Sequence, residues 1–472
     1  MRFIFFDLET SGLDRTYDLP LSIAAIATDE HLCEIDRISI RVRCEPHVIP
    51  DPAAVLVTGI DPTEIYSGKL PALPDAIKLF LDFAARYSPA IFAGYNSIGY
   101  DEHLLRQSLY QSLRPPYLTT TGGNRRLDIL HVVRTLAAIY VGDVLAIPVG
   151  DGGQRFDLPS VCQANSIPHQ AHDAMSDVEA TLAIARVVYR DAADIWRRAI
   201  DMTDRKTLRA VPKTVIYGVA ERRDGQVTLI FRTILAPHPD KRDCYITIET
   251  PTEPDVDQPP VTASQDEIFA WLEARPERVS ILNLKRGNVL MPMTGFHEMA
   301  RRYPPPPIVA TATRMREARS FVQACVAFAL AHEKALPVDA GGQVEPRIYE
   351  AFFASADVAT LAELHAEPPS ERAQFLDLLI DDRLREILVR HLAQEAPWSI
   401  PQDLVAGYQG WLLDRVAARQ ERPWRTAHAA IAQIESMIGA GEATHEQIRT
   451  LMIYRDMLIT KIAEVQRLEN NM

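Results

Sequence analysis

Phe3-Ile4-Phe5-Phe6-Asp7-Leu8-Glu9-Thr10 reads as a buried β-strand, an apolar run rich in aromatics and Ile. Asp7 and Glu9 interrupt it two residues apart, so both point to one face of the strand. Two carboxylates side by side repel, and burying them is costly unless a cation sits between them. Asp-x-Glu at a strand end therefore reads in two ways. Either the strand meets solvent there and Ser11-Gly12 turns the chain, or the pair begins a divalent-metal site that needs further ligands elsewhere.

Working outward, strands and helices alternate from residue 1 to about 190. Strands are expected over 21–27, 38–42 and 90–96, a turn over 55–60, and helices over 73–87, 101–113, 127–140, 158–164 and 173–196. This order predicts one α/β domain. Residues 212–250 change character, with strands over 215–217, 227–231 and 244–248 joined by charged turns. An exposed acidic, proline-rich loop over 251–260 and strands over 279–284 and 289–291 complete a small β-rich domain. Tyr303 and Pro304 to Pro307 form a stiff punctuation. Beyond it, apolar residues recur at three and four, predicting helices over 311–334, 357–367, 372–393, 402–419, 424–440 and 445–468.

With 472 residues, 47% of them hydrophobic and 7% aromatic, the chain can fill a sizeable core over roughly two to four domains. It has no apolar run of about 18 residues or more, so no transmembrane helix is expected. Its first residues enter a strand without the pattern of a signal peptide. Five cysteines without short paired spacing suit reduced thiols in a cytoplasm, not a disulfide framework or a zinc knuckle. The net charge of −13 is uneven: −9 over residues 1–196, +4 over 197–330 and −8 over 331–472. A polyanion-binding surface would draw on the basic middle, although ordinary variation in surface charge also produces such a difference.

Two further clusters supply candidate ligands. Gly94-Tyr95-Asn96-Ser97-Ile98-Gly99-Tyr100-Asp101 ends a strand and sets a carboxylate where a helix begins, a position that also suits a plain N-cap. His172-Asp173-Ala174-Met175-Ser176-Asp177 places Asp177 in the first turns of a long helix, with Asp173 as its start. His172 lies on the loop before it, where an imidazole beside a carboxylate suits a general base or merely a cap. Together Asp7, Glu9, Asp101 and Asp177 form a set able to hold two divalent cations about 3.5–4 Å apart, which clamp both oxygens of a phosphoryl displacement. Hard oxygen ligands favour Mg²⁺ or Mn²⁺, and His172 would take the proton of the attacking water.

The motifs Phe6-Asp7-Leu8-Glu9-Thr10, Gly94-Tyr95-Asn96 followed by Asp101, and His172-Asp173-Ala174-Met175-Ser176-Asp177 resemble those of the DEDD exonucleases, in the subgroup with histidine as base. Leu56-Val57-Thr58-Gly59-Ile60, Arg126-Leu127-Asp128-Ile129-Leu130, Ala164-Asn165, Ala171-His172-Asp173-Ala174-Met175, His238-Pro239-Asp240-Lys241-Arg242, Tyr349-Glu350-Ala351-Phe352-Phe353 and Ala356-Asp357 extend the likeness to the bacterial exodeoxyribonuclease I family. The likeness spans the chain and is closest in the first domain. It implies a ribonuclease-H-like exonuclease domain (1–192), an SH3-like β-barrel domain with insertions (198–335) and a C-terminal helical domain (340–472). It implies 3′→5′ degradation of single-stranded DNA to 5′-mononucleotides, in DNA repair and recombination.

Carried over by motif, Asp7, Glu9, Asp101 and Asp177 are the acidic ligands and His172 the base, with Glu9 also touching the terminal nucleotide. Arg106, Tyr117 and Arg134 fall where the family contacts the strand, in keeping with guanidinium for phosphate and a phenol ring for base stacking. By themselves the two arginines also read as solvated helix charges and Tyr117 as packing. One departure concerns Phe156-Asp157-Leu158, where the family carries a basic residue after the phenylalanine. Here the contact is lost or Arg155 replaces it. His169 lies near His172, and the motif spacing favours His172. The resemblance also implies a monomer, without membrane association, whose partner is the acidic tail of single-stranded-DNA-binding protein. Arg222, Arg223, Arg301 or Arg316 would bind that tail. Two rivals use the same residues: an RNA-trimming or proofreading exonuclease, usually a single-domain chain, and a strand-binding scaffold with vestigial acids.

Overall fold

The structure is a computed structural model that describes residues 1–140, 142–170, 172–213, 216–252, 258–292, 308–333 and 342–470. Ala171, Val215, residues 253–257 of the acidic loop, Arg301, the Tyr303 to Pro307 punctuation, Lys334 and the domain limits at 335 and 340 lie outside the described residues.

The first sheet is built from β1 (Phe3–Thr10), β2 (Pro20–Thr28), β3 (Glu34–Arg41), β4 (Ile91–Gly94) and β5 (Arg125–Asp128), in the order β3-β2-β1-β4-β5. The β1–β2 and β2–β3 pairs are antiparallel, and β4 and β5 run parallel to β1. Period-two alternation splits β1 cleanly. Phe3 and Phe5 enter one core, while Ile4, Phe6 and Leu8 enter the core on the opposite face. Each buried Phe contributes about 1.5–3 kcal/mol from apolar burial alone.

Helices α1 (Pro52–Thr58), α2 (Leu73–Tyr87), α3 (Asp101–Gln111), α4 (Ile129–Tyr140), α5 (Leu158–Ala164), α6 (Ala174–Asp191) and α7 (Ala193–Asp201) cover this sheet. Asp51 caps α1, Pro52 opens it and Gly59 ends it at φ 62°, so a helix occupies part of the stretch expected as a turn. The helix expected from residue 127 begins two residues later, because Arg125–Asp128 pairs with β4 as the edge strand β5. A non-helical Ala192 divides the expected 173–196 helix into α6 and α7.

After the short α8 (Arg205–Ala210), the chain forms a second, antiparallel sheet of β8 (Ile216–Arg223), β9 (Gln226–Pro237), β10 (Cys244–Glu249), β11 (Val279–Asn283) and β12 (Met291–Pro292), ordered β11-β10-β9-β8-β12. Before it, β6 (Val149–Gly150) and β7 (Gly153–Gln154) form a small hairpin in the first domain. The hairpin docks on the β8–β9 turn: the Gln154 amide donates to the Gly225 carbonyl at 2.7 Å, and Arg222 donates to the Gly152 carbonyl at 2.9 Å. A capping box of Ser264 and Glu267 starts α9 (Gln265–Glu273).

The remaining helices are α10 (Ile308–Glu317), α11 (Arg319–Ala331), α12 (Ser355–Leu364), α13 (Asp382–Glu395), α14 (Gln402–Ala417), α15 (Ala427–Gly439) and α16 (His445–Asn470). Two expected helices are divided: 311–334 at Ala318, and 372–393 into a 3₁₀ stretch, Pro369–Phe375, and α13, whose cap is Asp381. Tyr408, Leu412, Ile434, Tyr454 and Leu458 share one core with Ile4, Phe6 and Leu8, and the last helices join it through α1, while α2 packs on β1 itself.

Candidate active site

Asp7 and Glu9 follow Phe3 and Phe5 on the face of β1 that α6 covers. Their cross-strand partners are Ala24 and Ser22, small residues that leave room above the sheet for two carboxylates. Asp173 caps α6 by accepting the Ser176 amide at 2.8 Å, which sets Asp177 in the first turn. Carboxylate oxygens of Asp7, Glu9 and Asp177 all lie within 4.8 Å of one another, and each residue is half-buried.

Asp101 approaches from the other edge of β1. β4 pairs with β1 only through Phe3, Ile4 and Phe5, leaving the rest of that edge open. The Leu8 amide donates to Asp101 Oδ1 at 3.2 Å, between the two acids of the strand. Asp101 is the first residue of α3, and the capping position belongs to Tyr100. Asp128 shapes the loop before it, accepting the amides of Asn96 at 2.9 Å and Ile98 at 3.2 Å.

Burial and mutual repulsion push these acids toward their protonated forms. Asp7 is held well above the usual carboxylate range by burial, then by Asp101, Asp177 and Glu9. Burial, with Asp177 and Asp173 nearby, raises Glu9 to about 7. Burial raises Asp101 to about 8 against the hydrogen bonds from its own amide and that of Leu8. Asp177 is raised by burial despite its contact with His169. Such a cluster stays ionised at neutral pH only beside compensating positive charge, and an all-oxygen donor set suits a hard divalent cation.

His172 is exposed on the loop before α6, at φ 65°. Among the described residues it is His169, not His172, whose Nε2 meets Asp177 Oδ1. Arg106 and Tyr117 come together, with the guanidinium 5.6 Å from the ring centre, and Tyr117 also lies 5.1 Å from the exposed Phe352 ring. Arg134 stands apart over Phe156 at 5.8 Å. The Nε atoms of both arginines are buried without a partner among the described residues. Arg155 pairs with Asp157 at 3.2 Å, and Asp157 caps α5.

One contributor, Glu102, is not among the residues singled out from the sequence. Glu102 is buried, and its Oε2 accepts Arg106 at 2.9 Å and Arg126 at 2.5 Å. Arg126 also donates to the Lys285 carbonyl at 2.9 Å, tying the first sheet to the second domain. The i,i+4 spacing of Glu102 and Arg106 was visible, but the convergence of Arg126 on the same oxygen was not.

A family model described as Exonuclease matches residues 4–185, and one described as Exonuclease I C-terminal domain matches residues 342–458. Exodeoxyribonuclease I of Haemophilus influenzae is 27% identical over 83% of this chain and 86% of its own length. The crystal structure of E. coli Exonuclease I in complex with a dA16 oligonucleotide superposes with a TM-score of 0.80 at 21% identity, covering 98% of this chain and 99% of that one. A structure described as SSB/Exonuclease I in complex with inhibitor CFAM gives a TM-score of 0.76 at 22% identity, covering 97% and 99%. The acid cluster falls within the first matched segment and α12 to α15 within the second: the chain carries an exonuclease domain and an Exonuclease I C-terminal domain, is similar to exodeoxyribonuclease I over most of its length, and is an exonuclease.

Proposed function

We propose that the protein is a 3′→5′ exonuclease that degrades single-stranded DNA to 5′-mononucleotides by two-metal hydrolysis, in DNA repair and recombination in the cytoplasm. The observation that carries this reading is the meeting of Asp7, Glu9 and Asp177 oxygens within 4.8 Å, with Asp101 bonded to the strand between the first two. These four acids would hold Mg²⁺, or Mn²⁺. Bound divalent ions supply charge neutralisation at the scissile phosphate and make water more acidic.

The chain's own groups do the rest. His172, on its exposed loop, takes the proton from the attacking water. Glu9 touches the terminal nucleotide, Arg106 and Arg134 hold phosphates, and Tyr117 offers a stacking face. The order β3-β2-β1-β4-β5 supports a ribonuclease-H-like exonuclease domain over 1–192, and the five antiparallel strands of the second sheet support an SH3-like domain over 198–335, followed by the helical region over 340–472. Among the described residues no helix is long and apolar enough to cross a membrane.

The partner reading is a monomer that binds the tail of single-stranded-DNA-binding protein; a structure described as SSB/Exonuclease I supports the pairing of the two proteins. Of the basic candidates for that tail, Arg222 is engaged with Gly152 and Arg223 with Glu221 and Glu249, whereas Arg316 is exposed.

The test is digestion of end-labelled single-stranded DNA, duplex DNA and matched RNA, with Mg²⁺ and with EDTA. Only single-stranded DNA with Mg²⁺ should release mononucleotides. Asp7→Ala or Asp177→Ala should abolish release in a folded protein, and activity surviving either change sinks the two-metal assignment.

A further inference from the structure

The turn that follows Glu9 is held from the far end of the chain. Ser11 is fully buried. Its Oγ donates to Asp18 Oδ1 at 2.7 Å, and its carbonyl accepts the Asp51 amide at 2.6 Å. Both acids converge on Arg425, in the stretch between α14 and α15. Arg425 Nη2 meets Asp51 Oδ2 at 2.6 Å, and Nη1 lies 3.5 Å from Asp18 Oδ1. Gln433 donates to the other Asp51 oxygen at 2.9 Å.

The turn is closely packed around these groups. A Cβ at Gly12 would stand 2.5 Å from Asp18 Oδ2 and 3.0 Å from Arg425 Nη1. The Gly12 carbonyl accepts Tyr100 Oη at 2.6 Å, and Thr10 Oγ1 lies 2.8 Å from that hydroxyl. Thr10 follows Glu9 and Tyr100 precedes Asp101. One small turn thus connects the backbone on both sides of the acid cluster.

We propose that Arg425 is a positioning residue for the reaction. Its planar fork fixes two carboxylates at once, and through Ser11 and Gly12 these fix where Glu9 and Asp101 stand. Shifts of about 1 Å in such a site reduce turnover by up to roughly 100-fold. Glu9 also touches the terminal nucleotide, but the contacts of Arg106, Tyr117 and Arg134 with the strand are made elsewhere, so the loss falls mainly on kcat and only weakly on KM. The proposal rests on the exonuclease reading above.

The test compares full-length wild type, Arg425→Met and Arg425→Lys on single-stranded DNA with Mg²⁺, with thermal melting in parallel. Arg425→Met should lower kcat about 10- to 100-fold with KM within about twofold of wild type. Arg425→Lys should recover part of kcat, since an ammonium can serve one of the two acids. Unchanged kcat in a folded Arg425→Met protein overturns the proposal, as does a rise in KM alone. If Arg425→Met does not fold, a folded Arg425→Lys with wild-type kcat overturns it equally. An inactive wild type defeats the exonuclease reading itself, whereas an active wild type with indifferent variants defeats only the role of Arg425.

Discussion

Glu102→Gln is the most direct probe of how Arg106 and Arg126 are held beside the acid cluster. The Glu102 side chain is 2% exposed, and one of its oxygens accepts two guanidinium groups, Arg106 at 2.9 Å and Arg126 at 2.5 Å. Gln keeps the shape and the accepting oxygen but removes the charge. Hydrogen bonds to charged groups contribute about 1.5–3 kcal/mol and neutral ones about 0.5–1.5, so each arginine loses about 1–1.5 kcal/mol. The two cations, each about 14–15% exposed, then face one another without an anion between them. Removing one partner from such a buried cluster costs about 3–5 kcal/mol, which bounds the effect from above. We expect a loss of about 3 kcal/mol in urea unfolding and a raised KM for single-stranded DNA, because Arg106 loses its orientation. Adding Arg126→Met should return part of the stability by removing one uncompensated charge. A loss below about 1 kcal/mol, or strict additivity of the pair, would refute this account of Glu102.

Three further outcomes are expected. In EDTA, stability should fall as pH rises from about 4 to 8: Glu9 at about 7 and Asp101 at about 8 keep protons in the folded state that the unfolded chain, with ordinary carboxyl groups, has already released. Mg²⁺ should flatten that slope. Burial also raises Glu45 to about 7, which contributes equally with and without the ion, so the difference between the two melting curves isolates the site. His172→Ala should lower kcat by about 10²–10⁴, as expected for loss of a general base, and His169→Ala by much less; the reverse order in single-turnover assays would transfer the role to His169. Gly153→Ala should loosen the hairpin from the second domain, because φ is +97° and a Cβ would run into the Gly225 backbone. Limited proteolysis should then cut faster around residues 149–154, with destabilisation of about 1–3 kcal/mol.

Local patterns made much of this molecule legible. The alternation in Phe3–Thr10 placed Asp7 and Glu9 on one face, and Asp157 and Asp173 announced the helices they cap. What the sequence could not show depends on pairing across distance. Strand β5 was hidden because Arg125–Asp128 has no apolar alternation of its own and becomes a strand only beside β4. Asp101 matched a motif, yet its bond to the Leu8 amide follows from where β4 stops pairing. The His169 contact with Asp177 needed the turn of the loop, and Arg425 looks like any surface arginine until the chain is folded.

The core shared by β1 and the last helices carries a consequence for synthesis. The buried Tyr454 hydroxyl donates to the Pro50 carbonyl across 404 residues of chain, and Leu458 packs in the same core as Phe6 and Leu8. As the protein leaves the ribosome, β1 emerges long before α14 to α16, the helices that complete this core. Helices α2 and α3 can cover the Ile4, Phe6 and Leu8 face of β1 early, but the outer part of the core around Pro50 and Val55 remains open to water or to a chaperone until the last helices arrive, and a loop of several hundred residues must close to cover it. The fold of the nuclease is thereby completed only after its helical region has been made.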